Sequence, residues 1–190
     1  IREAIQAGVI SKKSVEEWQQ DYSKLVHDKI APEMVKAMKA GAKNQNQHKG
    51  IDIGYKFDAD HWAVSDWLEK HTAELVTNCT RVQKDAIQSM IDIGIRKHMG
   101  TDELARFIRP CIGLTKPQTQ AAMKYYENIK EELTKKHPRT SPEKIEKMAR
   151  DKQMKYAEKR LRERAVTIAQ TERAFAYEYG RYQHIKNLVD

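Results

Sequence analysis

The chain has 190 residues, 39% of them hydrophobic and 33% charged, with 35 Lys and Arg against 27 Asp and Glu for a formal net charge of +8. Its apolar residues fall in periodic blocks, which argues against disorder throughout, and no repeat of fixed period is visible, so one domain, or a small domain with a helical extension, is expected. The basic excess is diluted by many carboxylates; it marks a bias toward acidic partners and not a nucleic-acid signature.

Two cysteines, Cys79 and Cys111, stand far apart and outside any Cys-x-x-Cys pattern. That is the habit of reduced structural thiols in a reducing compartment. No run approaches the roughly 18 apolar residues that begin to span a bilayer, and the opening Ile1-Arg2-Glu3-Ala4 lacks the layout of a secretory signal. The chain is expected to be soluble, with no membrane contact. Because it opens on Ile and not Met, it reads as an excerpt of a longer polypeptide.

Helix signals dominate and the breakers fall between periodic segments, so the expected fold is all-α: a helical domain with a long C-terminal helix or helical hairpin, and a helical N-terminal arm. A short opening segment ends near Gly8. Ser14-Val15-Glu16-Glu17 has the form of a capping box and predicts the start of an arm helix whose Trp18, Tyr22, Leu25 and Val26 share a face. Pro32 bends or restarts that helix, since an interior proline forfeits a backbone bond yet suits a first turn. Gly41 is well placed to stop it. Residues 44–54 are polar and without helical period, and predict a loop or extended link. The chain thus divides into an arm with its link, residues 1–54, and a domain, residues 55–190.

Asp58 or Asp60 can cap the next helix, anchored by Trp62, Trp67, Leu68, Leu75 and Val76. Another runs from about Thr77 through Val82, Ile87, Met90 and Ile91 to Gly100. Thr101-Asp102-Glu103 opens a short helix with acids where the helix dipole favours them, and Pro110 closes it. Thr115-Lys116-Pro117-Gln118 is again a capping box, with proline in the first turn, and predicts a helix to about Lys135. His137-Pro138 breaks the chain and Ser141-Pro142 restarts it, with no further Gly or Pro before Gly180. At about 1.5 Å per residue this segment would reach on the order of 55 Å. One compact core does not cover that length, so a helical hairpin or a projecting rod is expected.

On this last helix Met154, Ala157, Leu161, Ala165, Ile168, Phe175 and Tyr179 repeat at spacings of three, four and seven, and Glu172 falls on the same stripe. A carboxylate on a packing face needs a basic or amide partner, for which Arg96, Arg106 and Arg109 are the candidates. Ala165, Ala169 and Ala176 allow a neighbouring helix close, and Gly180 can take the left-handed conformation that ends a helix. Lys152, Lys155, Lys159 and Arg162 repeat on the opposite side as an outward cationic stripe, within a segment from Lys130 to Arg164 that holds much of the basic excess. Such a stripe is either a solvated face or a contact for nucleic-acid phosphates. Asp58, Asp60 and His61 can be drawn as metal ligands, but helix caps explain the aspartates and no complementary Cys or His spacing follows; no metal site is assigned. His71 and Glu74 do not make a His-Glu-x-x-His pattern, and no Gly-x-Ser-x-Gly, phosphate-binding or dinucleotide-binding fingerprint is present. No cofactor and no catalytic residue is assigned.

The run Arg164-Ala165-Val166-Thr167-Ile168-Ala169-Gln170-Thr171-Glu172, continuing to Tyr177-Glu178-Tyr179-Gly180-Arg181, resembles the signature of the Mu F-like phage head morphogenesis family, the minor capsid proteins. In that family an Arg-Ala opening, an Ile-Ala-x-Thr-Glu centre and a Tyr-x-x-Gly-Arg close recur on one helix. Upstream, Ile108 to Gln118 looks like the family's hydrophobic-Gly-Leu-Thr turn, here Gly113-Leu114-Thr115. Between the two, Ala121, Ala122, Tyr125, Tyr126 and Leu133 resemble its Ala- and Tyr-bearing helix. The resemblance covers roughly residues 62–181. Two positions depart from it: Glu178 stands where the family often has a smaller or amide residue, and Tyr179 where asparagine is common.

The resemblance implies a non-enzymatic minor head protein of a phage or prophage, located in the virion at the inner capsid or portal, and in the host cytoplasm during assembly. Its implied partners are portal or capsid protein within an oligomeric assembly, with double-stranded DNA a further candidate, and its implied role is head assembly or DNA delivery. The competing expectations are a helical nucleic-acid-binding protein unrelated to phage heads and, less favoured, a small hydrolytic enzyme using Glu172 with a nearby Arg or His.

Overall fold

A computed structural model describes residues 2–48 and 57–186, and among them every regular element is helical. The all-α class and the long C-terminal helix are as the sequence predicts.

The arm opens with α1 (Arg2–Ala7) and α2 (Lys12–Leu25), joined through Gly8 at φ 69°. The Ser11 hydroxyl accepts the Ser14 amide at 3.1 Å, so the cap sits three residues before the expected Ser14. α2 runs into a π-helical turn (Val26–Ile30) and then α3 (Ala31–His48). Pro32 is the physical reason for the wide turn. It offers no amide to the carbonyl four residues back and its ring collides with that carbonyl, so the helix takes up one extra residue, with the Ala31 amide bonding to the Val26 carbonyl. Gly41 does not stop α3, and residues 44–48 of the expected link are helical; the remainder of that link, residues 49–54, lies outside the described residues.

α4 (Trp62–Arg96) is one helix of 35 residues, without the break expected near Thr77. Neither aspartate caps it. Asp58 closes the preceding turn by accepting the Asp60 amide at 2.9 Å, while the His61 ring nitrogen Nδ1 accepts the Ala63 amide at 3.2 Å. At the other end His98 takes φ 52°, with the His98 amide on the Ile95 carbonyl and the Met99 amide on the Gly94 carbonyl, both at 3.0 Å. This is a Schellman closure with histidine where glycine is usual. Gly100, expected to end this helix, is instead the extended residue that precedes α5 (Thr101–Ile108). A 3-10 turn (Arg109–Cys111) leads to α6 (Lys116–Lys136), whose capping box is complete: Gln118 donates its amide to the Thr115 hydroxyl, and Thr115 donates its amide to the Gln118 side chain. α7 (Pro142–Lys186) has 45 residues and passes through Gly180 without ending. Its length is about 67 Å at 1.5 Å per residue.

The chain forms two compact units, one from Ile1–Glu17 and Cys79–Arg164, the other from Trp18–Asn78 and Ala165–Asp190. The boundary read from the sequence near residue 54 falls outside the described residues, whereas the divisions of the units fall within α2, α4 and α7. A continuous helix can leave one core and enter another with no change in composition, which is why no linker marks them.

The first unit has an aliphatic core of Ile87, Met90, Ile91, Leu104, Ile108 and Leu114, all but fully buried. α7 contributes Ile145, Ala149, Gln153 and Ala157 at four-residue intervals, and α6 contributes Ala122, Met123, Tyr126 and Leu133. Tyr125 stacks on Tyr156 at 4.6 Å, and Glu146 binds both Lys130 and Arg150, fixing α6 against α7. At the Gly113-Leu114-Thr115 corner Gly113 has φ 90°, and a Cβ there would lie 3.0 Å from Leu161, so the turn uses a left-handed glycine directly beneath α7. Cys111 is buried, which pushes its thiol up to about 12 and keeps it unreactive, in line with a structural role.

The second unit is built on Met34, Ala37, Met38, Val64 and Ala176, flanked by Trp67, Leu68, Tyr177 and Tyr179. Here α3 crosses α7 with backbone against backbone. A Cβ on Gly180 would sit 2.1 Å from the Met38 carbonyl oxygen, and one on Gly41 would sit 2.1 Å from the Tyr177 carbonyl oxygen. Both glycines, read from the sequence as helix stops, are instead the crossing point that lets two helices touch.

Candidate functional site

The distinctive C-terminal run lies in the second unit, where the buried face of α7 differs from the stripe read off the sequence. Met154, Ala165 and Phe175 are exposed, Leu161, Ile168 and Tyr179 are half-buried, and Ala157 and Glu172 are buried. In the second unit Glu172, Ala176, Gly180, Gln183 and His184 face inward. The face shifts because 3.6 residues per turn do not hold one register over 45 residues, and each core takes the side it needs. Thr171 and Ala169 are exposed and Arg164 is half-buried; of the three alanines assigned to close helix approach, only Ala176 is buried, and Gly41 and Gly180 supply the approach instead.

Glu172 is 8% exposed and its carboxylate lies 2.6 Å from Nε2 of His71 on α4. This corrects the expected arginine partner. Arg96, Arg106 and Arg109 are exposed, belong to the first unit, and Arg106 donates to the Asp102 carbonyl. A carboxylate accepts, so with Glu172 as a carboxylate the Nε2–H of His71 is the donor, and the bond orients the ring. The signal for His71 was present: it falls on the α4 face that carries Trp67, Leu68 and Leu75, where a polar residue needs a partner just as Glu172 does.

Aromatic rings enclose the pair. Trp67 stacks on His71 with ring centroids 4.3 Å apart and on Tyr179 at 4.7 Å, and Phe175 meets His71 edge-on at 5.7 Å. The Tyr179 hydroxyl donates to the Ala63 carbonyl at 2.8 Å and accepts from the Gln183 amide at 2.7 Å. Burial pushes the Tyr179 hydroxyl above its ordinary range, so it stays a neutral donor. Tyr179 therefore ties α7 to the first turn of α4. Glu178 accepts a two-pronged bond from Arg181 at 3.1 Å, and Arg181 also donates to Gln45 on α3 at 3.2 Å.

Two clefts flank Glu172. One, of about 540 Å³, is lined by Trp67, His71, Glu74, Phe175, Glu178 and Tyr182 among others; the second, of about 460 Å³, runs between α3 and α7 over Met34, Ala37, Ala40, Ala169 and Arg173. Among the described residues neither lining includes a serine, threonine or cysteine. Among the described residues no group of three or more His, Cys, Asp or Glu side chains is arranged to hold a metal, and Asp58 and His61 have the turn and cap roles given above.

In the first unit Lys152, Lys155, Lys159 and Arg162 are all exposed, on the side of α7 away from Ala149, Gln153 and Ala157. Arg162 approaches Glu158 at 3.9 Å, and the three lysines form no ion pair among the described residues. No helix among the described residues is long and apolar enough to cross a membrane. Comparison with protein families, curated proteins and solved structures returns no match for this chain.

Proposed function

We propose that the chain is a minor head protein of a phage or prophage, resident in the virion and docking on portal or capsid protein during head assembly or DNA delivery. The observation that carries this reading is the use made of the family-like run. Glu172, Ala176 and Gly180 serve to pack α7 against α3 and α4, while Gly113-Leu114-Thr115 forms a tight capped corner under Leu161. Of the residues that bear the resemblance, Glu172, Gly180, Gly113 and Leu114 are used in packing, as suits a scaffold, while Ala165, Ala169 and Thr171 are exposed and open to a partner. Co-purification with the portal protein of the same genome tests it: retention through gel filtration is expected, and separation into a free monomer that performs turnover would overturn it.

Double-stranded DNA is the proposed second partner, through Lys152, Lys155, Lys159 and Arg162. Changing all four to Gln should lower DNA affinity and flatten its salt dependence, by about 0.9 log unit of slope for each phosphate no longer neutralised, with helicity unchanged. Unaltered salt-dependent binding removes the DNA role.

The hydrolytic reading is favoured by one feature, the His71–Glu172 pair at the edge of a cleft. There His71 would serve as a general base for water, oriented by Glu172. Turnover of a chromogenic ester that disappears in His71→Gln, with folding intact, would support that reading over the scaffold.

A further inference from the structure

The 540 Å³ cleft beside His71 differs in charge from the chain that contains it. Its lining holds three carboxylates, from Glu74, Glu172 and Glu178, and no lysine or arginine, in a chain of net charge +8. Two of the three are committed, Glu172 to His71 and Glu178 to Arg181. Glu74 is exposed and forms no ion pair among the described residues. Around it stand large aromatic side chains open to solvent, Phe175 at 54% and Tyr182 at 58% exposure. Such side chains exposed together are unusual for a surface that touches nothing, and aromatic residues are enriched where partners dock.

We propose that this cleft is a docking surface for an arginine-bearing segment of a partner protein. A guanidinium can lie against an aromatic face by cation–π attraction while its N–H groups meet a carboxylate, and this cleft offers both kinds of group on one lining. Phe175, Glu178 and Tyr182 follow spacings of three and four on α7, and Glu74 stands one helical turn beyond His71 on α4, so the two helices supply opposite walls. The uncommitted carboxylate of Glu74 favours a cation over a nucleic acid or an acidic peptide. A purely aliphatic helix would cover Glu74 and leave it without a partner. The floor is fixed by the Trp67–His71 and Trp67–Tyr179 stacks and the Glu172 bond, so little ordering is needed on binding. The proposal is independent of the phage-head reading, since any partner presenting an accessible arginine would satisfy it.

Fluorescence anisotropy of the full chain with a labelled Gly-Ser-Arg-Gly-Arg-Ser-Gly peptide, and with the same peptide carrying citrulline for arginine, tests it. Saturable binding of the arginine peptide alone is expected, weakened about tenfold in the Glu74→Gln, Tyr182→Leu double variant, in keeping with ~1 kcal/mol or more for a cation–π contact plus a charge-assisted bond. Both positions are exposed, so melting should be unchanged, which circular dichroism checks. The Lys152, Lys155, Lys159 and Arg162 to Gln variant should bind the peptide as before, which separates this surface from DNA contact. Equal binding of the citrulline peptide, undiminished binding by the double variant, or no saturation up to about 1 mM would each overturn the proposal.

Discussion

The two units of this chain solve the same packing problem by different chemistry. The first is built mainly on aliphatic side chains, Ile87, Met90, Ile91, Leu104, Ile108 and Leu114, with the uncharged polar residues Thr80, Gln83, Thr119 and Gln153 buried among them and charged pairs such as Lys130–Glu146 toward the surface. Its tight spots, Gly94 under Leu104 and Gly113 under Leu161, meet side chains and not backbone. The second unit presses backbone on backbone at Gly41 and Gly180, and buries a carboxylate, an imidazole and a tyrosine hydroxyl beside its Met and Ala residues. A polar interior is costly unless every group is matched, and what it adds is a single permitted register.

The sharpest way to break this contrast is to add one methyl group in each unit. Gly180→Ala or Gly41→Ala should destabilise by about 3 kcal/mol, because a backbone carbonyl cannot rotate away, whereas Gly94→Ala, which overpacks the buried Leu104 side chain, should cost less, about 1–2 kcal/mol. The two second-unit variants push the same helices apart, so the double variant should cost less than their sum. Urea unfolding of the single and double variants checks both statements.

The acid limb of stability separates the units next. Glu146 is held below the usual carboxylate range, first by its bond to Arg150 and then by Lys130. A depressed folded value means the stabilisation is present above the unfolded value of about 4.3 and is lost as pH falls through the folded one. Glu146→Gln should thus lower stability at neutral pH and reduce its fall on acidification, which melting curves between about pH 7 and pH 3 would reveal. A variant with an unchanged acid limb would remove Glu146 from the account of the first unit.

The smallest effect expected is chemical. With its thiol pushed up to about 12 by burial, Cys111 should not react with a thiol reagent in the folded protein near pH 8, while half-buried Cys79 reacts first. Two equally fast thiols would mean that the first core is open.

What could be read from the sequence was what is decided locally. The Thr115–Gln118 capping box and the Ser141-Pro142 restart depend on residues within one turn, and both stand where they were expected. Gly41 and Gly180 could not be read the same way, because a glycine that ends a helix and one that lets another helix touch look identical along the chain. His98 ends α4 in a conformation that few non-glycine residues adopt, so Gly100 was the more natural stop to read. The stripe on α7 kept Ile168, Glu172 and Tyr179 but included Met154, Ala165 and Phe175, since one period was extended across a helix that serves two cores. Glu172 was legible as a carboxylate that must be paired. Its partner was not, because His71 is 101 residues away and only the folded chain brings the two together.

That pair is the most direct test. In a double-mutant cycle of His71→Ala and Glu172→Gln, measured by urea unfolding, we expect a coupling energy of about 1–3 kcal/mol, as for groups sharing a buried charged hydrogen bond. Stabilities that add to within about 0.5 kcal/mol would show that the two side chains do not interact, and would contradict the account of the second unit.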